Sequence, residues 1–237
     1  MRGLFVTATD TDVGKTILSA ALLATMSAAG EQVRAHKPVV PGLEAPAGAW
    51  APDHELLADM AGMTPEDVAP LRYGPAVSPH LAAQLAGERI DPADLVTRAQ
   101  TAGDEEATLI VEGVGGLLTP LADDYTVRDF AVALGLPLLI AARPGLGTIN
   151  HTLLTLEAAR GAGLDVRAVV LTPWPEQPSE LERSNRETIA RMGEIEVVGL
   201  GRVRSPDTAN LGRAGNALPW RNWCRPHVPS QAKPNIG

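Results

Sequence analysis

The chain has 237 residues, 45% of them hydrophobic and only 3% aromatic, which suits one α/β domain with an aliphatic core. A formal net charge of -8 argues against a protein that lives on nucleic acid or an anionic membrane, since both require a basic face. Cys224 is the single cysteine, so no internal disulfide is available, and this fits a reducing, cytoplasmic setting.

In chain order, LFVTA (4–8) predicts a strand, followed by a helix from Lys15 to about Ala29 that Gly30 closes. The apolar helix follows an acidic loop containing Asp10 and Asp12, which is the wrong flank for a secretory leader. VRAHKPV (33–39) predicts a second strand running into a Pro/Gly-rich loop. Further strands are expected at TLIVEG (108–113), LPLLIAA (136–142), VRAVVLT (166–172) and IEVVGLG (195–201), separated by helical segments such as TVRDFAVALG and INHTLLTLEAARGAG. AVALGLPLLIAA (131–142) is too short to span a bilayer and contains Gly135 and Pro137, so no membrane role is expected. Strands apolar on both faces imply an α/β fold with a mostly parallel sheet and helices on both sides. Residues 1–218 are read as one domain. Residues 219–237 are read as a proline-rich tail, partly disordered or packed as a strap, with Trp220 and Trp223 pinning its start.

In parallel sheets of this kind, ligands gather at the carboxyl ends of the strands. The loop after Val6, Lys37, Glu112 and the PGLG at 144–147 all fall there. TATDTDVGKT (7–16) ends like a phosphate-binding loop: Thr11, Asp12, Val13 and Gly14 would direct backbone N–H groups into one concavity, Lys15 would neutralise terminal phosphates, and Thr16 would offer a hydroxyl to Mg²⁺. Thr9 stands where the usual spacing asks for glycine. Glu112 ends an apolar strand, where an ionised carboxylate requires a cation or donors. Gly113, Gly115 and Gly116 beside it would let backbone N–H groups approach a substrate. Asp53, after Pro52, fits either a metal ligand or a first-turn acid favoured by the helix dipole. His36, His54, His80 and His151 share no metal-ligand spacing, which speaks against zinc.

The loop TATDTDVGKT resembles the T-G-T-D-T-x-V-G-K-T of the dethiobiotin synthetases, P-loop NTPase-like proteins, with Ala8 in place of the glycine. The similarity continues through KPVVPG (37–42), PDHELL (52–57), VSPHLAA (77–83), VEGVGGLLTPL (111–121) and PGLGTINHTLLTLEA (144–158). In the right order over about two thirds of the chain, these matches are specific where the phosphate loop alone is not. The resemblance implies an ATP-dependent carbon–nitrogen ligase of biotin synthesis. In it 7,8-diaminononanoate takes up CO₂ as a carbamate, a nucleoside triphosphate phosphorylates the carbamate, and the second amine closes the cyclic urea. It further implies Lys15 and Lys37 as the catalytic cations, with Thr16, Asp53 and Glu112 as Mg²⁺ ligands. Thr11, Asp12, Val13, Gly14, Gly115, Thr172 and Trp174 would join Lys15, Thr16 and Glu112 around the nucleotide. Lys37, Pro41, Gly115, Thr148 and Asn150 would contact substrate, the last two from the other subunit of a homodimer.

Two departures bear on substrate and nucleotide. Pro41 replaces the family's Ser or Thr, deleting a hydroxyl and a backbone donor. LTPWPEQP, with Thr172 and three prolines, replaces an adenine-reading asparagine, so Trp174 either stacks on the base or packs on the prolines, and tolerance of the base is expected. Two other readings use a similar loop. A cobyrinic-acid-type amide ligase would need a glutaminase nucleophile that this chain does not offer, and a partitioning or regulatory ATPase would add an early lysine in the loop and a basic or amphipathic surface element.

Overall fold

The computed structural model describes residues 1–45, 50–103 and 106–225. It opens on β1 (Arg2–Ala8), α1 (Lys15–Ala28) and β2 (Val33–His36), then crosses four helices, α2 (Asp53–Ala61), α3 (Pro65–Val68), α4 (Pro79–Leu85) and α5 (Pro92–Ala102), before β3 (Thr108–Glu112). A small hairpin, β4 (Pro120–Ala122) and β5 (Tyr125–Thr126), precedes a regular alternation of α6 (Val127–Leu134), β6 (Leu138–Ala142), α7 (Thr148–Gly161), β7 (Val166–Trp174), α8 (Glu180–Gly193) and β8 (Glu196–Gly201). The described chain closes with α9 (Thr208–Gly215) and α10 (Trp220–Trp223).

The main sheet has six strands in the order β2-β3-β1-β6-β7-β8, and every pairing in it is parallel. The chain builds outward from β1 on one side through β3 and β2, then returns to β1's other flank with β6. That reversal opens a crevice at the carboxyl ends of β1 and β3. Because strand side chains alternate, Phe5 joins the core on one face while Leu4 and Val6 join the core on the other. The first face is covered by α4 to α8, with Phe130 meeting Phe5 edge to face at 5.8 Å. The second is covered by α1, α2 and α9, and Trp220 and Trp223 of α10 are buried in it.

Local sequence explains most element ends. Thr126 and Asp129 form a capping box that starts α6, and Ser179 with Glu182 does the same for α8. The predicted strand at 33–39 stops at His36. Lys37 turns its backbone N–H to the carbonyl of Val68 at 2.8 Å, and Pro38 has no N–H to continue a ladder. Packing runs past residue 218, because Trp223 donates its indole N–H to Glu196 at 2.7 Å. Residues 226–237, the rest of the predicted tail, lie outside the described residues.

Candidate active site

The helix α1 begins directly beneath the carboxyl end of β1, so the loop between them must turn sharply. Gly14 caps the helix in the left-handed region at φ 95°, and Asp12 also has positive φ at 53°. A Cβ on Gly14 would sit 2.7 Å from Cγ2 of Thr172, so the loop and the end of β7 touch where only glycine fits. Val13 is buried in the core behind the loop, and Arg143 donates to the carbonyl of Asp12 at 3.2 Å, fixing the turn from both sides. Thr11 is exposed at the rim, its N–H bound to Asp10 at 2.7 Å. Lys15 is buried and curls back to donate to the carbonyl of Asp10 at 3.0 Å.

Lys37, leaving β2, is 3% exposed, and Glu112, ending β3, is 0% exposed. The ammonium of Lys37 lies 2.5 Å from Oε1 of Glu112 and 2.6 Å from Oδ2 of the half-buried Asp53 at the start of α2. Thr16 donates its hydroxyl to the same Oε1 of Glu112 at 2.9 Å, while Oε2 of Glu112 is buried with no partner among the described residues. Strand adjacency explains the meeting: β3 lies between β1 and β2, so residues 16, 37 and 112 leave neighbouring strand ends.

Charge states follow from this packing. Burial disfavours the ammonium of Lys37, but Glu112 and Asp53 together outweigh it and raise its pKa above the usual lysine value. Lys37 in turn holds Asp53 below the ordinary carboxylate range, against the opposing effect of burial. Burial lowers the pKa of Lys15, only partly offset by Glu112, and the positive charge of Lys37 lowers it further. Asp53, the Thr16 hydroxyl, Lys15 and Lys37 thus line one cleft of about 930 Å³, with Glu112 fully buried behind Lys37 and Thr16. Its walls include Thr11, Asp12, Gly14 and Gly115 near the phosphate loop and Val40, Pro41 and Trp50 farther out. An oxygen donor set of this kind suits a hard cation, and polyphosphate would meet the helix start and Lys15. Among the described residues there is no group of three or more His, Cys, Asp or Glu that could hold a metal.

A family model described as an AAA domain matches residues 2–204. The ATP-dependent dethiobiotin synthetase BioD of Bacillus subtilis subsp. natto is 35% identical over 215 residues, covering 89% of this chain and 90% of the relative. Its counterpart in Anaeromyxobacter sp. (strain Fw109-5) is 40% identical over 205 residues, covering 82% and 91%. The chain belongs to the dethiobiotin synthetase family. Two solved structures share the fold alone: the cell division ATPase MinD of Pyrococcus furiosus, with a TM-score of 0.55 at 13% identity over 91% of this chain and 98% of that one, and apo McdA, with a TM-score of 0.51 at 12% identity over 90% of each.

Several residues sit differently from what the sequence suggests for a dethiobiotin synthetase. Ala8, in the family's glycine position, belongs to β1 and pairs with Ala141, so the positive φ angles fall on Asp12 and Gly14 and alanine is accommodated. Of the three glycines after Glu112, only Gly115 lines the cleft; Gly113 gives its N–H to the carbonyl of Val6 at 2.9 Å, and Gly116 gives its N–H to Thr119 at 2.9 Å. Trp174 is not on the cleft wall. Its ring covers Gly199, where an added Cβ would come within 2.4 Å of Cγ, and Arg186 lies 5.5 Å from its centroid. Thr172 is buried against the phosphate loop instead. Thr148 is buried near Thr152 and Asn150 is exposed, both on the first turn of α7 and outside this cleft.

Other residues were silent in the sequence. Asn185, buried on α8, donates to the carbonyls of Pro144 and Gly145 at 2.9 and 3.0 Å and so holds the PGLG turn. Trp50 lines the cleft with nothing in its spacing to mark it, and Ser78, which lies in the VSPHLAA match but carried no assigned role, lines it too.

Proposed function

We propose that this cleft makes dethiobiotin from 7,8-diaminononanoate, CO₂ and ATP. The observation that carries the reading is the convergence of Lys15, Lys37, Thr16 and Asp53 in one cleft beside a phosphate-loop turn, with the buried Glu112 bound to Lys37 and Thr16. One substrate amine adds to CO₂ to form a carbamate. The γ-phosphoryl group passes from ATP to a carbamate oxygen, leaving ADP, and the second amine attacks the carbonyl carbon and expels phosphate. Each anion on this path calls for a cation at close range. Lys15 neutralises the phosphates from the loop side and Lys37 balances the carbamate and the phosphoryl oxygens. Thr16, Asp53 and Glu112 would hold Mg²⁺, which when bound offsets negative charge on the transferred group. The acids keep Lys37 protonated, so it works as a cation and not as a base.

The altered β7 end supports tolerance of the nucleoside base, because Thr172 offers a hydroxyl that packs on the loop and Pro173 lacks an N–H. Comparable turnover with ATP, GTP and CTP is expected; strict dependence on ATP would refute it. A homodimer is supported by Leu118, Leu146 and Leu154, exposed by 55%, 92% and 57%, of which Leu118 and Leu154 line one hollow with Thr9 and Gly116. In such a dimer Thr148 and Asn150 would serve the partner's cleft; sedimentation as a monomer at assay concentration would end that assignment. Among the described residues no helix is long and apolar enough to cross a membrane, and a cytoplasmic site is proposed, to be checked by cell fractionation. The reaction itself is tested by incubating the protein with diaminononanoate, bicarbonate, Mg²⁺ and ATP and weighing the product. Dethiobiotin that disappears with Lys15→Ala is expected, and its absence from the wild-type reaction would overturn the reading.

A further inference from the structure

Two of the three groups proposed to hold the divalent cation, Asp53 and Glu112, are already engaged by a cation of the chain itself. Lys37 reaches Asp53 and Glu112 at 2.6 and 2.5 Å, and the Glu112 oxygen it touches is the one that accepts the Thr16 hydroxyl. The second Glu112 oxygen is buried and unpartnered among the described residues, so the carboxylate has unused acceptor capacity. A divalent ion bound through the same oxygens would stand within a few ångströms of the ammonium, where like charges repel strongly in a partly dry site. The backbone of Lys37 is tied to Val68 by its N–H at 2.8 Å, leaving the long side chain as the part free to move.

We infer that the Lys37 ammonium and a divalent cation occupy the Asp53–Glu112 cradle in turn, so that seating the metal releases Lys37 into the substrate cleft. The inference rests on the metal assignment proposed above. No covalent bond changes: one monovalent cation leaves two carboxylates and one divalent cation takes its place. Without metal, the ammonium neutralises Glu112, which would otherwise be buried and unpaired, and pairs with the half-buried Asp53, which keeps the cleft intact. With metal, the same ammonium is available to carbamate and phosphoryl oxygens, so the substrate-facing cation is delivered only to a loaded site. Linkage makes the competition reciprocal: whatever Lys37 gains from the cradle is subtracted from metal affinity.

The test is a titration of the nucleotide-free, substrate-free protein with Mn²⁺, following free Mn²⁺ by its paramagnetic resonance signal. Lys37→Met, which keeps the chain length and removes the charge, is expected to bind Mn²⁺ about tenfold or more tighter than wild type. Equal or weaker binding overturns the exchange. The gain should vanish in Lys37→Met/Glu112→Gln; if it persists, the ion sits elsewhere and the inference fails. Should Lys37→Met not fold, acetylation of the wild-type lysines read by peptide mass spectrometry decides the matter. Lys37 labelling is expected to rise several-fold with saturating Mn²⁺, and continued protection refutes the release. Dethiobiotin formation by wild type is measured in parallel. Product without any Mn²⁺ effect of Lys37 sinks the exchange alone, whereas the Mn²⁺ effect without product sinks the proposed reaction and leaves the exchange standing.

Discussion

His36 makes the stability of the fold sensitive to mild acid. It lies at the end of β2, 1% exposed, and neither ring nitrogen has a hydrogen-bond partner among the described residues. Burial, reinforced by the positive charge of Arg98, lowers its pKa from 6.5 to about 4. The folded protein therefore carries a neutral imidazole over a range in which the unfolded chain is already protonated. The stabilisation is fully present above the unfolded value and is lost as pH falls towards the folded one. A shift of that size corresponds to roughly 3 kcal/mol in all, and about 2.5 kcal/mol of it would be gone by about pH 4.5. Carboxylates also titrate in that window, so the measurement is a comparison: urea unfolding of wild type and His36→Leu at about pH 7.5 and about pH 4.5. Wild type should lose about 2.5 kcal/mol more than the variant between the two conditions. Equal losses would mean that the imidazole is hydrated or paired, and the reasoning from burial would be wrong.

Three further outcomes are expected. Gly14→Ala should weaken nucleotide binding by about tenfold or more in calorimetry, because its φ of 95° and the 2.7 Å approach to Thr172 both resist a Cβ; Thr172→Ala in the same chain should restore only part, and full restoration would show that the backbone angle does not matter. Glu112→Gln should lower kcat by at least about a hundredfold and also lower the melting temperature, since it strips a buried partner from Lys37; an unchanged kcat would remove Glu112 from the site. Trp174→Ala should cost about 2–3 kcal/mol of stability and leave the nucleotide KM unchanged, because the ring packs on Gly199 and Arg186; a raised KM would return it to the base site.

How much was legible in the sequence depended on how local the determining physics is. The strand at 4–8, the glycine before Lys15 and the helix that follows are set by neighbours in the chain, and they form where apolar patterning and turn chemistry place them. The capping boxes of α6 and α8 are equally local, written in residues three apart. Of the charged candidates, Lys37 and Glu112 came from residue type at strand ends, Lys15 from the phosphate loop, and Asp53 from its place after Pro52 within the family resemblance. What no local pattern encodes is the sheet order. Only the insertion of β3 between β1 and β2 brings Thr16, Lys37 and Glu112 within hydrogen-bonding distance, and it made Lys37 the cation of both acids. The glycines after Glu112 look alike in sequence, yet the N–H of Gly113 goes across the sheet to Val6, that of Gly116 goes to Thr119 three residues on, and only Gly115 is left on the cleft. Trp174 lies over Gly199 because β8 offers it a glycine, a contact made between strands. The sequence by itself determined which chemical groups this protein has and which turns present them; the tertiary structure decided which of those groups share a cleft, because hydrogen bonds and ion pairs act over a few ångströms between residues that the chain holds far apart.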